Sequence, residues 1–138
     1  MTVTASRVRP KLAVIAEDEP RVQMLVRTCL QMDGWTVHSA DNGADAAALV
    51  AEHDPVLVVL DIMMPGTDGR VGCEMIRAND GDMESRVIVM LTALSEEGDV
   101  IEGVMSGADD YITKPFDADD LSSRCERFVT EAGWELGD

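Results

Sequence analysis

Short apolar runs alternate five times along this chain with longer stretches in which apolar residues recur at helical spacing. The apolar runs cover residues 11–16, 36–40, 56–60, 87–91 and 111–114. The third run, VLVVL, contains no polar position, which is typical of a strand covered on both faces. The runs therefore predict five β-strands, with at least one of them buried inside a sheet.

The stretches between the runs predict helices with one apolar face. Pro20 stands where the first helix would begin, and Gly34 stands where it would end. The apolar stripe of that helix consists of Val22, Leu25, Val26, Cys29 and Leu30. Further helices are predicted near residues 43–53, 70–78, 95–106 and 121–132. Because parallel strands need crossover connections, five βα units indicate a doubly wound α/β domain with helices on both faces of a parallel sheet.

A length of 138 residues suits one domain with one hydrophobic core. We expect this domain to cover residues 11–132, between a flexible N-terminal segment, 1–10, and a short acidic tail, 133–138. The three cysteines are far apart and have apolar neighbours, which favours reduced core thiols over disulfides or a zinc site. Neither a membrane-spanning run nor a signal peptide is evident, so a cytoplasmic location is expected.

Acidic residues dominate the charge of the chain. There are 27 Asp and Glu against 11 Lys and Arg, for a formal net charge of −16. A nucleic-acid backbone or an anionic membrane surface needs a cationic footprint on its protein partner. The charge therefore argues against nucleic acid and membranes as direct partners, and it favours cations or basic protein surfaces.

Polar residues stand at the carboxyl ends of four predicted strands. Glu17 and Asp18 follow the first strand, Asp61 follows the third, Thr92 follows the fourth, and Lys114 closes the fifth. We expect these side chains to converge, because parallel strands end at one edge of the sheet and ligands bind there. Clustered carboxylates repel one another unless a cation compensates, and oxygen ligands suit Mg²⁺, with Mn²⁺ as a substitute.

This set of side chains matches the needs of phosphoryl transfer. Asp61 would attack as a nucleophile, while Glu17 and Asp18 would hold the metal. Thr92 would donate its hydroxyl to the phosphoryl group, and Lys114 would pair with one of its oxygens as a point charge. Taken singly, an acid after a strand is more often a helix cap or a solvated loop residue, so the prediction depends on the convergence of all four segments.

Four motifs stand in a characteristic order along the chain: EDEP at 17–20, LDIMMPGTDG at 60–69, MLTA at 90–93 and GADDYITKPF at 107–116. With them, residues 12–128 resemble a bacterial two-component response-regulator receiver domain of the CheY-like type. The resemblance implies a flavodoxin-like (βα)5 fold with strand order 2-1-3-4-5. It also implies a cis peptide bond between Lys114 and Pro115.

The same resemblance implies a role for each site residue. Asp61 would be the phosphorylated aspartate; Glu17, Asp18, Asp61 and the backbone carbonyl of Met63 the metal site; Thr92 the switch hydroxyl; Lys114 the phosphate-pairing lysine; and Tyr111 the switch aromatic. The phosphoryl donor would be a sensor histidine kinase or a histidine phosphotransfer protein. Phosphorylation would change the surface of the fourth predicted helix, the fifth strand and the last helix for a downstream protein target. Such a domain is a signalling module with at most autophosphatase activity, and not an enzyme.

Comparison with the family at five positions refines these expectations. Met63 and Leu94, both apolar, would hinder and fail to orient the water that attacks the acyl phosphate, so the phosphorylated state should last long. Relatives with DNA-binding output tend to pair through a basic and an acidic residue where this chain has Glu102 and Met105, although Arg124 is retained. We therefore expect a monomer or a weak dimer.

Several alternatives bear on this interpretation. The main alternative is that the chain is the N-terminal receiver of a longer regulator with a DNA-binding or enzymatic output domain. A haloacid-dehalogenase-type phosphatase would need a second aspartate where Met63 stands, and a nucleotide or flavin binder would need a Gly-rich or hydroxyl-rich turn in place of residues 17–20. A phosphorylation-independent pseudo-receiver is disfavoured because the acceptor, the metal acids, Thr92 and Lys114 are all present.

Overall fold

The computed structural model describes residues 7–64, 69–81, 85–92 and 107–137. The strands are β1 (Val8–Pro10), β2 (Leu12–Ala16), β3 (Thr36–Ala40), β4 (Leu57–Asp61), β5 (Val87–Thr92), β6 (Asp110–Thr113) and β7 (Glu135–Gly137). The helices are α1 (Pro20–Met32), α2 (Gly43–His53), α3 (Gly69–Asp80) and α4 (Ala118–Glu131). The helix predicted near residues 95–106 lies outside the described residues. None of the helices described is long and apolar enough to cross a membrane.

Five parallel strands form the main sheet in the order β3-β2-β4-β5-β6. This confirms the predicted doubly wound α/β fold. The numbers are shifted by one relative to the predicted order 2-1-3-4-5, because the short strand β1 precedes the five strands of this sheet. Because all strands of this sheet are parallel, the carboxyl ends of β2, β4, β5 and β6 lie at the same edge of the sheet.

Apolar side chains fill both faces of the sheet. Every residue of β4 and β5 is buried, as the absence of polar alternation predicts. One cluster includes Leu57 and lies under α1 and α4, while the other includes Val58 and lies under α2 and α3. Burial raises the pKa of the Cys73 and Cys125 thiols to about 12, so these two cysteines behave as protonated core residues.

A second, two-stranded sheet joins the two ends of the described chain. Strand β1 pairs in parallel with β7, and the guanidinium of Arg7 lies 4.0 Å from the ring of Trp134. Gly133, at φ 98°, turns the chain after α4 so that Trp134 can enter the core cluster beneath it. The sequence does not predict this pairing, because strands of only three residues, one of which ends in proline, are too short to show a periodic pattern of apolar residues. The placement of the domain at residues 11–132 stays a prediction.

Candidate functional site

Two backbone hydrogen bonds fix the ends of the strands that carry the site. The amide of Glu17, directly after β2, donates to the carbonyl of Ala40 at 3.1 Å. The amide of Lys114, directly after β6, donates to the carbonyl of Thr92 at 2.6 Å. Asp61 is itself the last residue of β4. The side chains at this edge are therefore placed by sheet register and not by flexible loops.

Three carboxylates converge at this edge, as predicted. Glu17, Asp18 and Asp61 each present an oxygen within 4.8 Å of the other two. Glu17 and Asp61 are only 2% and 3% exposed, whereas Asp18 is exposed. The backbone amide of Met63 donates to Oδ1 of Asp61 at 3.2 Å, and that of Glu19 donates to Oε1 of Glu17 at 3.2 Å. Two nearly buried carboxylates thus lie in fixed orientations beside a third that reaches solvent.

Lys114 connects the two buried carboxylates. Its Nζ lies 2.9 Å from Oδ2 of Asp61 and 3.1 Å from Oε2 of Glu17. Burial acts to lower the pKa of Lys114, but the hydrogen bonds and charges of the two carboxylates outweigh it and raise the pKa. One ammonium against three carboxylates leaves the site with an excess of negative charge.

The pKa of Glu17 shows the effect of this excess negative charge most clearly. Burial, followed by the hydrogen bond and charge of Asp61, raises the pKa of Glu17 to about 7, and Lys114 only partly opposes this. The donor set is made entirely of oxygens on three carboxylates, which fits a small hard divalent cation. The three acids predicted as metal ligands therefore lie close enough together to hold one such cation.

The structure also describes the remaining predicted residues of the site. Thr92 is buried at the carboxyl end of β5, opposite Thr113 of β6. The side chain of Met63 is 65% exposed at the rim. Tyr111 is half-buried in β6 and packs against the cluster under α2 and α3. The predicted cis bond between Lys114 and Pro115 is confirmed.

The sequence predicts roles for four further residues, in phosphate loss and in dimerisation. Arg124 stays within its own helix, 4.0 Å from Asp120 and 5.8 Å from the ring of Phe128. Leu94, Glu102 and Met105 lie outside the described residues. Expectations that depend on these three positions remain predictions.

Two residues that support the site were not predicted from the sequence. Gln23, on α1, donates from Nε2 to the carbonyls of Glu17 and Ala40, at 2.8 and 3.1 Å, and so braces the ends of β2 and β3. Gly69 opens α3 so close to the backbone that a Cβ there would overlap the carbonyl of Asp61. Gly69, the last residue of the PGTDG segment, could have indicated a close approach of two backbone segments. A glutamine in the first turn of a helix gives no such indication.

An apolar cavity of about 430 Å³ lies beside Lys114. Its lining consists of Val22, Leu25, Lys114, Pro115 and Phe116. Both α1 and the segment after β6 border this cavity, and Leu25 on α1 is 43% exposed.

Comparison with known proteins supports the resemblance to receiver domains. The family model described as "Response regulator receiver domain" matches residues 13–126. The DNA-binding dual master transcriptional regulator RpaA of Synechocystis is 39% identical over 115 residues, which cover 83% of this chain and 47% of that protein. The phosphate regulon transcriptional regulatory protein PhoB of Rhizobium meliloti is 37% identical over 127 residues, covering 92% and 55% respectively. The chain spans about half the length of these relatives.

Solved structures agree with the sequence matches. The receiver domain of the Francisella response regulator 1452 superimposes with a TM-score of 0.78 at 28% identity, over 90% of this chain and 99% of that one. The family match covers most of the chain and includes every carboxylate of the site. The chain belongs to the response-regulator receiver-domain family of two-component signalling.

Proposed function

We propose that this domain accepts a phosphoryl group on Asp61 and uses it as a signal. The observation that carries the proposal is the contact of 2.9 Å between Oδ2 of Asp61 and Nζ of Lys114, inside a cluster of three carboxylates. It supports a carboxylate that is held in place and paired with a cation, next to the exposed Asp18. An ordinary structural ion pair would not need two further acids at the same point.

The chain's own residues supply most of the transfer chemistry. An oxygen of the Asp61 carboxylate attacks phosphorus, the bond from phosphorus to the donor's histidine nitrogen breaks, and that nitrogen keeps the electron pair. The amide of Met63 and the ammonium of Lys114 orient the carboxylate beforehand. Lys114 then pairs with a phosphoryl oxygen, and the Thr92 hydroxyl donates to another.

The proposed cofactor is Mg²⁺, with Mn²⁺ as a substitute. Glu17, Asp18, Asp61 and the backbone carbonyl of Met63 would hold it. When bound, the ion neutralises charge on the phosphoryl oxygens and on the acids. The charge balance supports a divalent ion, because three carboxylates and one ammonium sum to two negative charges.

The proposed output is a change of surface. A phosphoryl group adds about −1.5 to −2 charge and strong acceptors, which draw in the Thr92 hydroxyl and favour an inward position of Tyr111. The affected surface would be formed by the predicted helix over residues 95–106, β6 and α4, and a downstream protein would recognise it. The donor, a sensor histidine kinase or phosphotransfer protein, would approach over α1 and the apolar cavity. The domain would act in the cytoplasm as a monomer or weak dimer.

A second context is favoured by one observation. RpaA is described as DNA-binding, and this chain spans only 47% of it. The domain would then be the receiver of a longer regulator whose other part contacts DNA. The charge of −16 supports an arrangement in which the receiver itself does not bind nucleic acid.

The acceptor can be tested by intact-mass spectrometry after incubation with acetyl phosphate and Mg²⁺. We expect the wild-type chain to gain the mass of one phosphoryl group and Asp61→Asn to gain none, because the amide is not a nucleophile. Asp119→Asn, which changes an exposed acid on α4, is the matched control and should be modified like the wild type. An unmodified wild type, or a modified Asp61→Asn, contradicts the proposal.

The raised pKa of Glu17 predicts how stability depends on pH in the presence of a chelator. Between pH 4.5 and about 7 the folded chain keeps a proton on Glu17 that the unfolded chain releases. Raising the pH through this window therefore lowers the free energy of unfolding, on the order of 1–3 kcal/mol for this group. Urea unfolding of the wild type and of Glu17→Gln, at about pH 5 and about pH 8, isolates the effect. Glu19→Gln should keep the wild-type difference, and an equal difference in Glu17→Gln would refute the assignment.

The apolar side chain of Met63 predicts a long-lived phosphorylated state. Met63 offers no group to orient an attacking water, so Met63→Glu should accelerate loss of phosphate by about tenfold. The rate is measured by following the phosphorylated mass after removal of acetyl phosphate. Met32→Glu, at another exposed methionine, on α1, serves as the control and should leave the rate unchanged. A wild-type lifetime of seconds, or no acceleration in Met63→Glu, would count against the idea.

A further inference from the structure

Gln23, in the first turn of α1, reaches from the helix to the backbone beside the carboxylate site. Its Nε2 lies 2.8 Å from the carbonyl oxygen of Glu17, 3.1 Å from that of Ala40 and 3.1 Å from Oδ1 of Asp41. Three oxygens around one atom identify it as the amide nitrogen, because the amide oxygen has no hydrogen to donate. The half-buried side chain of Gln23 therefore joins α1 to the ends of both β2 and β3.

These contacts hold the backbone of Glu17 on both sides. The amide of Glu17 donates to the carbonyl of Ala40 at 3.1 Å, and the carbonyl of Glu17 accepts from Gln23. The carbonyl of Ala40 accepts from both donors, as its two lone pairs allow. The third acceptor, Asp41, is an exposed carboxylate, and a hydrogen bond to an ionised group is stronger than one to a neutral group. The amide of Gln23 is thus fixed where the chain leaves β2.

The planarity of the peptide bond carries this constraint to Asp18. The carbonyl of Glu17 and the amide nitrogen of Asp18 belong to one planar unit, so a hydrogen bond that fixes the carbonyl also fixes the plane from which Asp18 starts. The carboxylate of Glu17 has further partners of its own, the amide of Glu19 and the ammonium of Lys114. Asp18 is exposed, so the direction of its side chain depends more on the backbone that Gln23 holds.

We propose that Gln23 is a positioning residue for the cation site, and that its amide sets the direction of Asp18 and thereby the affinity for a divalent ion. This inference rests on the proposed function, in which Mg²⁺ binds at the three carboxylates. Mg²⁺ demands a nearly ideal octahedral arrangement of oxygens, so a small rotation of one ligand weakens its binding. Groups that hydrogen-bond behind metal ligands commonly tune affinity in this way. Because Gln23 acts through the backbone, it affects binding of the ion and not the transfer step.

Calorimetric titration with Mg²⁺ tests this role with two complementary substitutions. Gln23→Met keeps the length of the side chain but removes both donor hydrogens, whereas Gln23→Asn keeps the amide but shortens its reach by one methylene. Both variants should raise the Kd for Mg²⁺ by about tenfold. Gln31→Met is the matched control, because Gln31 is an exposed glutamine in the last turn of the same helix, and it should bind Mg²⁺ like the wild type.

The rate of phosphorylation by acetyl phosphate separates positioning of the ion from a general effect on the fold. In Gln23→Met the Mg²⁺ concentration that gives half the maximal rate should rise by about tenfold, while the rate at saturating Mg²⁺ stays that of the wild type. A role in fold stability alone would lower the urea midpoint and leave the half-saturating concentration unchanged, which contradicts the inference. A lower rate at saturating Mg²⁺ would also contradict it, because Gln23 would then act on the transfer step.

The outcomes distinguish this inference from the function on which it rests. A wild type that neither binds Mg²⁺ nor gains a phosphoryl group would refute the proposed function, and this inference with it. A wild type that binds Mg²⁺, together with an unchanged Kd in Gln23→Met and Gln23→Asn, would refute the role of Gln23 alone. Equal weakening in Gln31→Met would refute that role as well, since any change on α1 would then have the same effect.

Discussion

The contact of Lys114 with both Asp61 and Glu17 is the constraint on which the site depends. It joins residues from the ends of three different strands, so it exists only when the sheet has its full order. It also leaves the negative charge incompletely balanced, because a single ammonium faces two nearly buried acids and the exposed Asp18. A buried excess of charge costs stability unless a ligand compensates for it. The fold thus maintains an excess of negative charge at this edge, which supports the proposed binding of a divalent cation.

The periodic part of this arrangement could be predicted from the sequence. Apolar runs without polar positions mark strands buried on both faces, and β4 and β5 are buried throughout. A parallel sheet gathers the residues that follow its strands, which is why Glu17, Asp61 and Lys114 were predicted to meet. The prediction succeeds because burial and strand direction are encoded locally, in the period and order of the elements.

Pairwise contacts between distant residues could not be predicted in the same way. Gln23 braces two strands through backbone carbonyls, and any polar side chain on α1 would look the same in the sequence. The pairing of β1 with β7 depends on Trp134 packing into the core beneath short strands. The stack of His38 on His53 follows from where α2 ends over β3. These features arise from tertiary packing, which leaves no periodic trace in the chain.

The central claim is that Glu17, Asp18, Asp61 and Lys114 form one coupled cation site. Calorimetric titration of Mg²⁺ in two buffers of different ionisation enthalpy measures the protons released on binding. Because the pKa of Glu17 is raised to about 7, binding at about pH 6 should release close to one proton per ion, and binding at about pH 8.5 should release almost none. Glu17→Gln should abolish the release. Equal proton release by the wild type and Glu17→Gln, or none from the wild type at about pH 6, would contradict the account.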